Sequence, residues 1–236
     1  MSGLNQSERT RDFFDETAEG WSSRYDRDSS MALRRQRFAD ALQSRQAAPS
    51  DILDFGCGSG DIGRHLAGCG YRLTGCDLSA AMIEQAQAAD ISRDVQWVAL
   101  EKVPPASPLP FDGSSFDAVI SSSVLEYVET IDVTLSEIAR ILKPGGWIFA
   151  TVPDMRSPSR QRELWLRRAS MIPLLATILD HSRWREGARY QRISINRWPS
   201  AKWYAALQAA GFQVEPLPEC TGPLVLLSAR KMSNKS

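Results

Sequence analysis

A glycine-rich turn framed by two acids is where residue type and spacing in this 236-residue sequence first point to chemistry. Asp54-Phe55-Gly56-Cys57-Gly58-Ser59-Gly60 follows a short apolar run and leads into a helical pattern. Asp77 comes seventeen residues after Gly60, at the end of the next apolar run. Glycines at a strand-to-helix turn take positive φ and let a ligand lie against the backbone with no Cβ between them. A carboxylate at the end of the second strand can accept both hydroxyls of a ribose. Together these residues define a cradle for a nucleoside.

Gly58-x-Gly60-x-x-Gly63 also satisfies the dinucleotide fingerprint, so an NAD-dependent oxidoreductase is one reading. Asp54 argues against it, because a carboxylate entering the loop would face the pyrophosphate. S-adenosylmethionine (SAM) instead brings an ammonium and a sulfonium, and the charge favours it.

Candidates for proton transfer are few. The chain has two histidines: His65 falls within the helix after the turn and reads as structural, while His181 lies beyond the fifth strand. Tyr25, Tyr127, Asp154 and Tyr190 are further candidates by region. Cys57, Cys69, Cys76 and Cys220 form no CxxC pair and have no His at zinc-site spacing, so neither a metal site nor a disulfide framework is expected.

The elements that must position these residues follow from periodicity. Phe13, Phe14, Ala18, Trp21 and Tyr25 predict a helix over Arg9–Tyr25, and a second is predicted over Met31–Leu42. From residue 51 onward, short apolar runs (DILDF, YRLTGC, VQWVAL, FDAVISS, GWIFATV, FQVEPL, LVLLSA) alternate with the helical segments IGRHLAGC, SAAMIEQAQAA and VTLSEIARILK. Strands alternating with helices imply an α/β fold with a mainly parallel sheet. The last two runs are separated only by ECTGP and predict an antiparallel hairpin. The organisation expected is an N-terminal helical lid over 1–48 and a core over 49–236, with an insertion at about 154–199 that shapes the acceptor pocket.

Phe116-Asp117-Ala118-Val119-Ile120, Ser122-Ser123-Val124-Leu125-Glu126-Tyr127-Val128 and Ile138 through Lys143-Pro144-Gly145-Gly146 complete an ordered pattern with the turn. From Ile52 to Pro153, the chain resembles the class I SAM-dependent methyltransferases, in the group that includes ubiquinone-biosynthesis and small-molecule enzymes. The resemblance implies a Rossmann-like seven-stranded sheet with a reversed last strand and helices on both faces. It implies that Asp54 and the backbone of Gly56 and Gly58 surround the methionine part of SAM, in the SAM-binding turn that Gly60 completes, with Asp77 on the ribose, Leu78 beside the adenine and the Ser121 carbonyl on the ammonium. Met82 would cover the adenine face, core filling being its alternative role. Two departures stand out. The acid expected after the third strand is replaced by Leu100 and Glu101, either of which could serve the adenine amino group. The Glu-x-x-Glu-His cluster of some relatives is here Ser123-x-x-Glu126-Tyr127, which makes a divalent ion unexpected. A SAM-binding regulatory protein without turnover is the rival reading from another class.

Lys and Arg number 28 and Asp and Glu 28, so no global field draws the chain to nucleic acid. Ten arginines between Arg156 and Arg197 face only Glu163, Asp180 and Glu186, and the segment carries Leu164-Trp165-Leu166 and Met171 to Leu179 beside Trp184 and Trp198. That mixture suits a small acceptor with an anionic or lipid-like character, or contact with a membrane surface through 156–197. Methyl transfer to an O or N nucleophile is the expected reaction. The polar N-terminus and the absence of a run of roughly 18 apolar residues predict a cytoplasmic location.

Overall fold

The computed structural model describes residues 4–23, 29–217 and 222–233. Its seven strands are β1 (Asp51–Phe55), β2 (Arg72–Asp77), β3 (Val95–Ala99), β4 (Phe116–Ser122), β5 (Leu142–Pro153), β6 (Phe212–Val214) and β7 (Leu224–Lys231). They form one sheet in the order β3-β2-β1-β4-β5-β7-β6. β7 alone is reversed, pairing antiparallel with both β5 and β6. The expected hairpin is therefore present, and it inserts its second strand between β5 and β6.

Strand alternation explains the two cores. Ile52, Ala118, Ile120, Trp147 and Phe149 point to one face, beneath α2 (Ser29–Arg45) and α3 (Asp61–Gly68). Leu53, Val119, Ile148 and Ala150 point to the other, beneath α5 (Ile131–Ile141) and α9 (Ser200–Ala209). Both faces are apolar because both are covered by helices. Phe149 and Trp203 are fully buried, and truncating either to Ala would cost about 3–5 kcal/mol.

α4 (Ala80–Ala89) follows β2, and α1 (Gln6–Thr17) packs against it. Between β5 and α9 the chain forms α6 (Pro158–Ser170), α7 (Pro173–Asp180) and α8 (Arg185–Ile193), which pack on one another, while α8 also meets α1.

Two boundaries differ from expectation. α1 starts at Gln6, earlier than Arg9, because Asn5 accepts the Glu8 amide at 2.9 Å while the Glu8 carboxylate accepts the Asn5 amide at 2.8 Å. It ends at Thr17, and the chain then turns at Gly20, whose φ is 73°. β5 begins at Leu142, before the expected Gly146. There the Lys143 ammonium donates to Asp51 at 3.0 Å and to Asp117 at 2.8 Å, tying the entry of β5 to those of β1 and β4. The ammonium, after Arg72, holds the Asp51 carboxyl well below the usual carboxylate range. No described helix is long and apolar enough to cross a membrane.

Candidate active site

The strand order reverses direction between β1 and β4, and the crevice at their carboxyl ends is where an open α/β sheet binds its ligand. A cavity opens there. Its wall is contributed by the residues following β1 (Gly56, Gly58), β2 (Leu78, Ser79) and β3 (Leu100), and by the end of β4 and the turn after it (Ser122, Ser123, Val124).

The turn is held by its second acid. Asp77 Oδ2 accepts the Gly58 amide at 2.8 Å and Oδ1 accepts the Ser79 amide at 2.8 Å. Burial raises its pKa against the pull of those amides. The Gly56 and Cys57 amides donate to the Cys76 carbonyl at 2.8 and 3.0 Å, fixing the loop to the end of β2. Burial, with Asp77 and Asp54 nearby, raises the Cys57 thiol well above its usual value, so it is no nucleophile.

Two glycines in this turn serve different ends. Gly58 has φ 54°, and a Cβ there would meet only Trp21 Nε1 at 3.9 Å, so its open side faces the cavity. Gly60 has φ 76° and caps α3, but a Cβ there would stand 2.3 Å from Trp97 Cη2. The Trp97 indole, donating from Nε1 to Asp90 at 3.0 Å, fills the space beneath Gly60. Gly60 is a packing glycine and lies outside the cavity lining.

Asp54 is buried in the cavity floor, and neither carboxylate oxygen has a hydrogen-bond partner of good geometry. Desolvation first, then the neighbouring Asp77, pushes its pKa up to about 7, with the Gly63 amide offsetting in part. A buried, unpartnered carboxylate is costly unless a cation meets it. Those residues suit SAM, whose ammonium would meet Asp54, whose ribose would meet Asp77 and which could approach the backbone at Gly58.

Opposite the turn, the cavity is aromatic. Phe14 and Trp21 from the N-terminal segment stand edge-on to one another, with ring centroids 5.6 Å apart, and Phe14 meets Tyr127 at 5.4 Å. Tyr190, from α8, completes the wall. Its hydroxyl donates to Glu126 at 3.3 Å, and Ser194 donates to the same carboxylate. Glu126 is fully buried, and desolvation raises its pKa despite Ser194 and the charges of Arg160 and Arg197. Burial and Glu126 likewise raise the Tyr190 hydroxyl, keeping it a neutral phenol. The Glu126 segment is clamped from two sides. Asn196 donates its amide to the Glu126 carbonyl at 2.9 Å, and the buried Gln6 side chain of α1 donates to the Ile193 and Tyr127 carbonyls at 2.7 and 3.1 Å.

Of the residues singled out from the sequence, Asp54, Gly56, Gly58, Asp77, Leu78, Met82, Leu100 and Tyr190 are brought together around this cavity. Ser121 lies fully buried one residue before the lining Ser122 and Ser123. Glu101 is exposed and outside it. His181 is exposed at the end of α7, its Nδ1 2.8 Å from the Thr177 carbonyl. Asp154 is occupied by Arg156, whose amide and guanidinium donate to Oδ1 at 2.9 and 3.1 Å; these bonds outweigh burial and lower its pKa. Tyr25 lies outside the described residues. Arg189 pairs with Glu16 and Arg192 with Asp180, so these insertion arginines are engaged at the surface. The cations that do line the cavity, Arg11 and Arg34, come from α1 and α2. Sequence reasoning passed over both.

A parallel sheet with one reversed strand, carrying a nucleoside-sized crevice whose floor is an unpaired acid, defines a Rossmann-like methyltransferase. The comparisons agree. Residues 53–150 match the methyltransferase domain family. The demethylmenaquinone methyltransferase of Clavibacter sepedonicus is 32% identical over 201 residues, covering 81% of this chain and 78% of that relative. The malonyl-[acyl-carrier protein] O-methyltransferase of Enterobacter lignolyticus is 31% identical over 132 residues, covering 55% and 50%. Among solved structures, a SAM-dependent methyltransferase from Thermotoga maritima superposes with a TM-score of 0.64 at 18% identity, covering 94% of this chain and 99% of the other. The chain belongs to the class I SAM-dependent methyltransferase family, and its cofactor is SAM. This sets aside both the nicotinamide reading and that of a regulatory protein without turnover.

Proposed function

We propose that the protein methylates an oxygen or nitrogen nucleophile on a small aromatic or apolar molecule that carries an anionic group. The single observation behind this reading is the Tyr190–Glu126 pair on the wall of the cavity that also holds Asp54, Gly58 and Asp77. Bound SAM would supply an electrophilic methyl group, open to in-line attack by the acceptor with S-adenosylhomocysteine as the leaving group. The chain's own residues do the rest. Asp54 takes the ammonium, Asp77 keeps its hold on the Gly58 turn while meeting the ribose, and Met82 and Leu100 enclose the base. Phe14, Trp21 and Tyr127 shelter the acceptor from water, with α1 and α2 serving as the lid. Tyr190 accepts the proton of the acceptor nucleophile while passing its own to the Glu126 carboxylate. A neutral phenol can act as a base only through such a relay, and a carboxyl whose pKa is raised by burial is a stronger acceptor than an ordinary one. Arg11 and Arg34 pair with the anionic group.

The test is transfer of label from methyl-labelled SAM into fractions of a cell extract, followed by locating the methyl group by carbon NMR. A methyl on oxygen or nitrogen supports the reading. A methyl on ring carbon, as the names of the quinone C-methyltransferase relatives would suggest, overturns the nucleophile assignment while leaving the family intact. Asp77→Ala should abolish transfer.

A further inference from the structure

One helix of the molecule has no core to belong to. α7, Pro-Leu-Leu-Ala-Thr-Ile-Leu-Asp, contains no buried residue although it is the most apolar of the helices between β5 and α9. Met171, Leu174, Leu175 and Ile178 recur at the spacing of one helical face and are 68, 73, 39 and 58% exposed. Ile172 beside them is exposed too. The opposite face is spoken for: Arg192 of α8 donates to Asp180 at 2.9 Å and reaches the Ala176 carbonyl at 3.5 Å, so α7 is held by its polar side with its apolar side outward.

Exposed aromatic and cationic side chains stand on, or just before, the two helices that pack against α7. Trp165, on α6, and Trp184, just before α8, are 73 and 54% exposed. Arg168 lies over the Trp165 ring at 5.8 Å, and Arg183 lies over the Trp184 ring at 5.1 Å. Between residues 165 and 185 the one acid, Asp180, is already paired, and the exposed Glu186 follows directly. A contiguous exposed apolar face marks an interaction site. Exposed aliphatic side chains on α7, exposed indoles on the adjoining segments and guanidinium groups over those indoles are the components that sink into the headgroup boundary of an anionic bilayer.

We propose that α7 and its flanking tryptophans dock on the surface of anionic phospholipid membranes, lying in the plane of the interface. The local excess of arginine, in a chain of zero net charge, orients this end toward negative headgroups. The aliphatic face then removes itself from water by entering the acyl boundary, where no hydrogen bond of the helix need be broken.

The experiment is flotation of the full-length protein with vesicles of phosphatidylcholine mixed with phosphatidylglycerol, and with vesicles of phosphatidylcholine alone. The protein should float with the mixed vesicles, less with the neutral ones, and less again as salt is raised. The double variant L174E/I178E, both positions being exposed and remote from the cavity, should lose at least about tenfold in partitioning while keeping its S-adenosylhomocysteine affinity. Arg168→Ala with Arg183→Ala should weaken only the anionic component. Failure to float with either vesicle overturns the proposal. So does light scattering that shows a dimer dissociated by L174E/I178E, since the face would then be covered by a second copy. Equal flotation of wild type and L174E/I178E would place the contact elsewhere and overturn it as well.

Discussion

The Tyr190 hydroxyl donates to the buried Glu126 carboxylate at 3.3 Å, across 64 positions of sequence. In the sequence Glu126 stands where some relatives keep a metal-binding cluster. In the structure its oxygens are turned to Ser194 and Tyr190, and its backbone carbonyl is capped by Asn196. In the proposed relay, its place behind a cavity tyrosine would give it a use that needs no ion.

Tyr190→Phe should therefore lower kcat by about 10²-fold with a much smaller change in KM, as expected for loss of a general base. Glu126→Gln should do the same and remove the acidic limb of the pH profile. The sign follows from the raised carboxyl: it remains protonated to higher pH than an ordinary Glu, so the relay is lost as pH falls through that raised value. Steady-state rates with the labelled cofactor over a pH series check both. A Glu126→Gln profile with the wild-type acidic limb would exclude the carboxylate from the relay.

Asp54 gives a second pH dependence. Its pKa of about 7 in the free protein means that near neutrality part of the population carries a proton there, which an arriving ammonium must expel. Binding of S-adenosylhomocysteine should release a proton and weaken progressively as pH is lowered below about 7. The stability consequence has the opposite sense. A raised carboxyl pKa penalises the folded state above the unfolded value, growing through the window up to about 7. Asp54→Asn should thus stabilise the free protein at pH 8, by on the order of 2 kcal/mol, while reducing nucleoside affinity. Thermal melts with and without ligand separate the two effects.

The two glycines should part company on substitution. Gly58→Ala places a methyl in open cavity space, so its cost in stability is mainly the left-handed backbone, about 1 kcal/mol, and its larger effect falls on cofactor affinity. Gly60→Ala adds to the same backbone strain a collision with Trp97, for a total on the order of 2–4 kcal/mol. Replacing Trp97 with Leu in the Gly60→Ala background should recover part of that loss, and should recover nothing in the Gly58→Ala background. Denaturation midpoints of the single and double variants measure the coupling.

This contrast marks how far the sequence could be read. Strands β1 and β4 were legible to the residue, because a run buried on both faces and bounded by turn residues has few alternatives. Asp54, Gly58 and Asp77 were legible because the turn is local: chemistry and position lie within 24 residues. Gly60 looked identical to Gly58, and only the indole of Trp97, arriving from a different strand, separates a packing glycine from a cradle glycine. Gln6 carried no pattern at all, and Glu126 stood out only by its place in the run after β4, with nothing to show what it would meet. Their roles come from α1, the turn after β4 and α8 meeting at one point, which no periodicity records. The Asn5-x-x-Glu8 capping box was readable, and would have placed the start of α1 correctly.

Arg11 and Arg34 provide the last test. Both line the cavity, both are half-buried, and no ion pair involves either one among the described residues. The acids in the same lining are Asp54 and Asp77, held beneath the turn, and Glu129. Two unpaired guanidinium groups facing an aromatic pocket favour an anionic guest, since each charge-assisted hydrogen bond to a carboxylate or phosphate contributes about 1.5–3 kcal/mol. Two anions could meet them: the acceptor's acidic group, or the carboxylate of the cofactor. If they serve the acceptor, Arg11→Ala and Arg34→Ala should each raise the acceptor KM by about tenfold or more and leave S-adenosylhomocysteine affinity within about twofold. Calorimetry with methylthioadenosine, which lacks the amino-acid end, supplies the control. Should the substitutions weaken S-adenosylhomocysteine but not methylthioadenosine, the arginines belong to the cofactor, and the anionic character assigned to the acceptor falls with them.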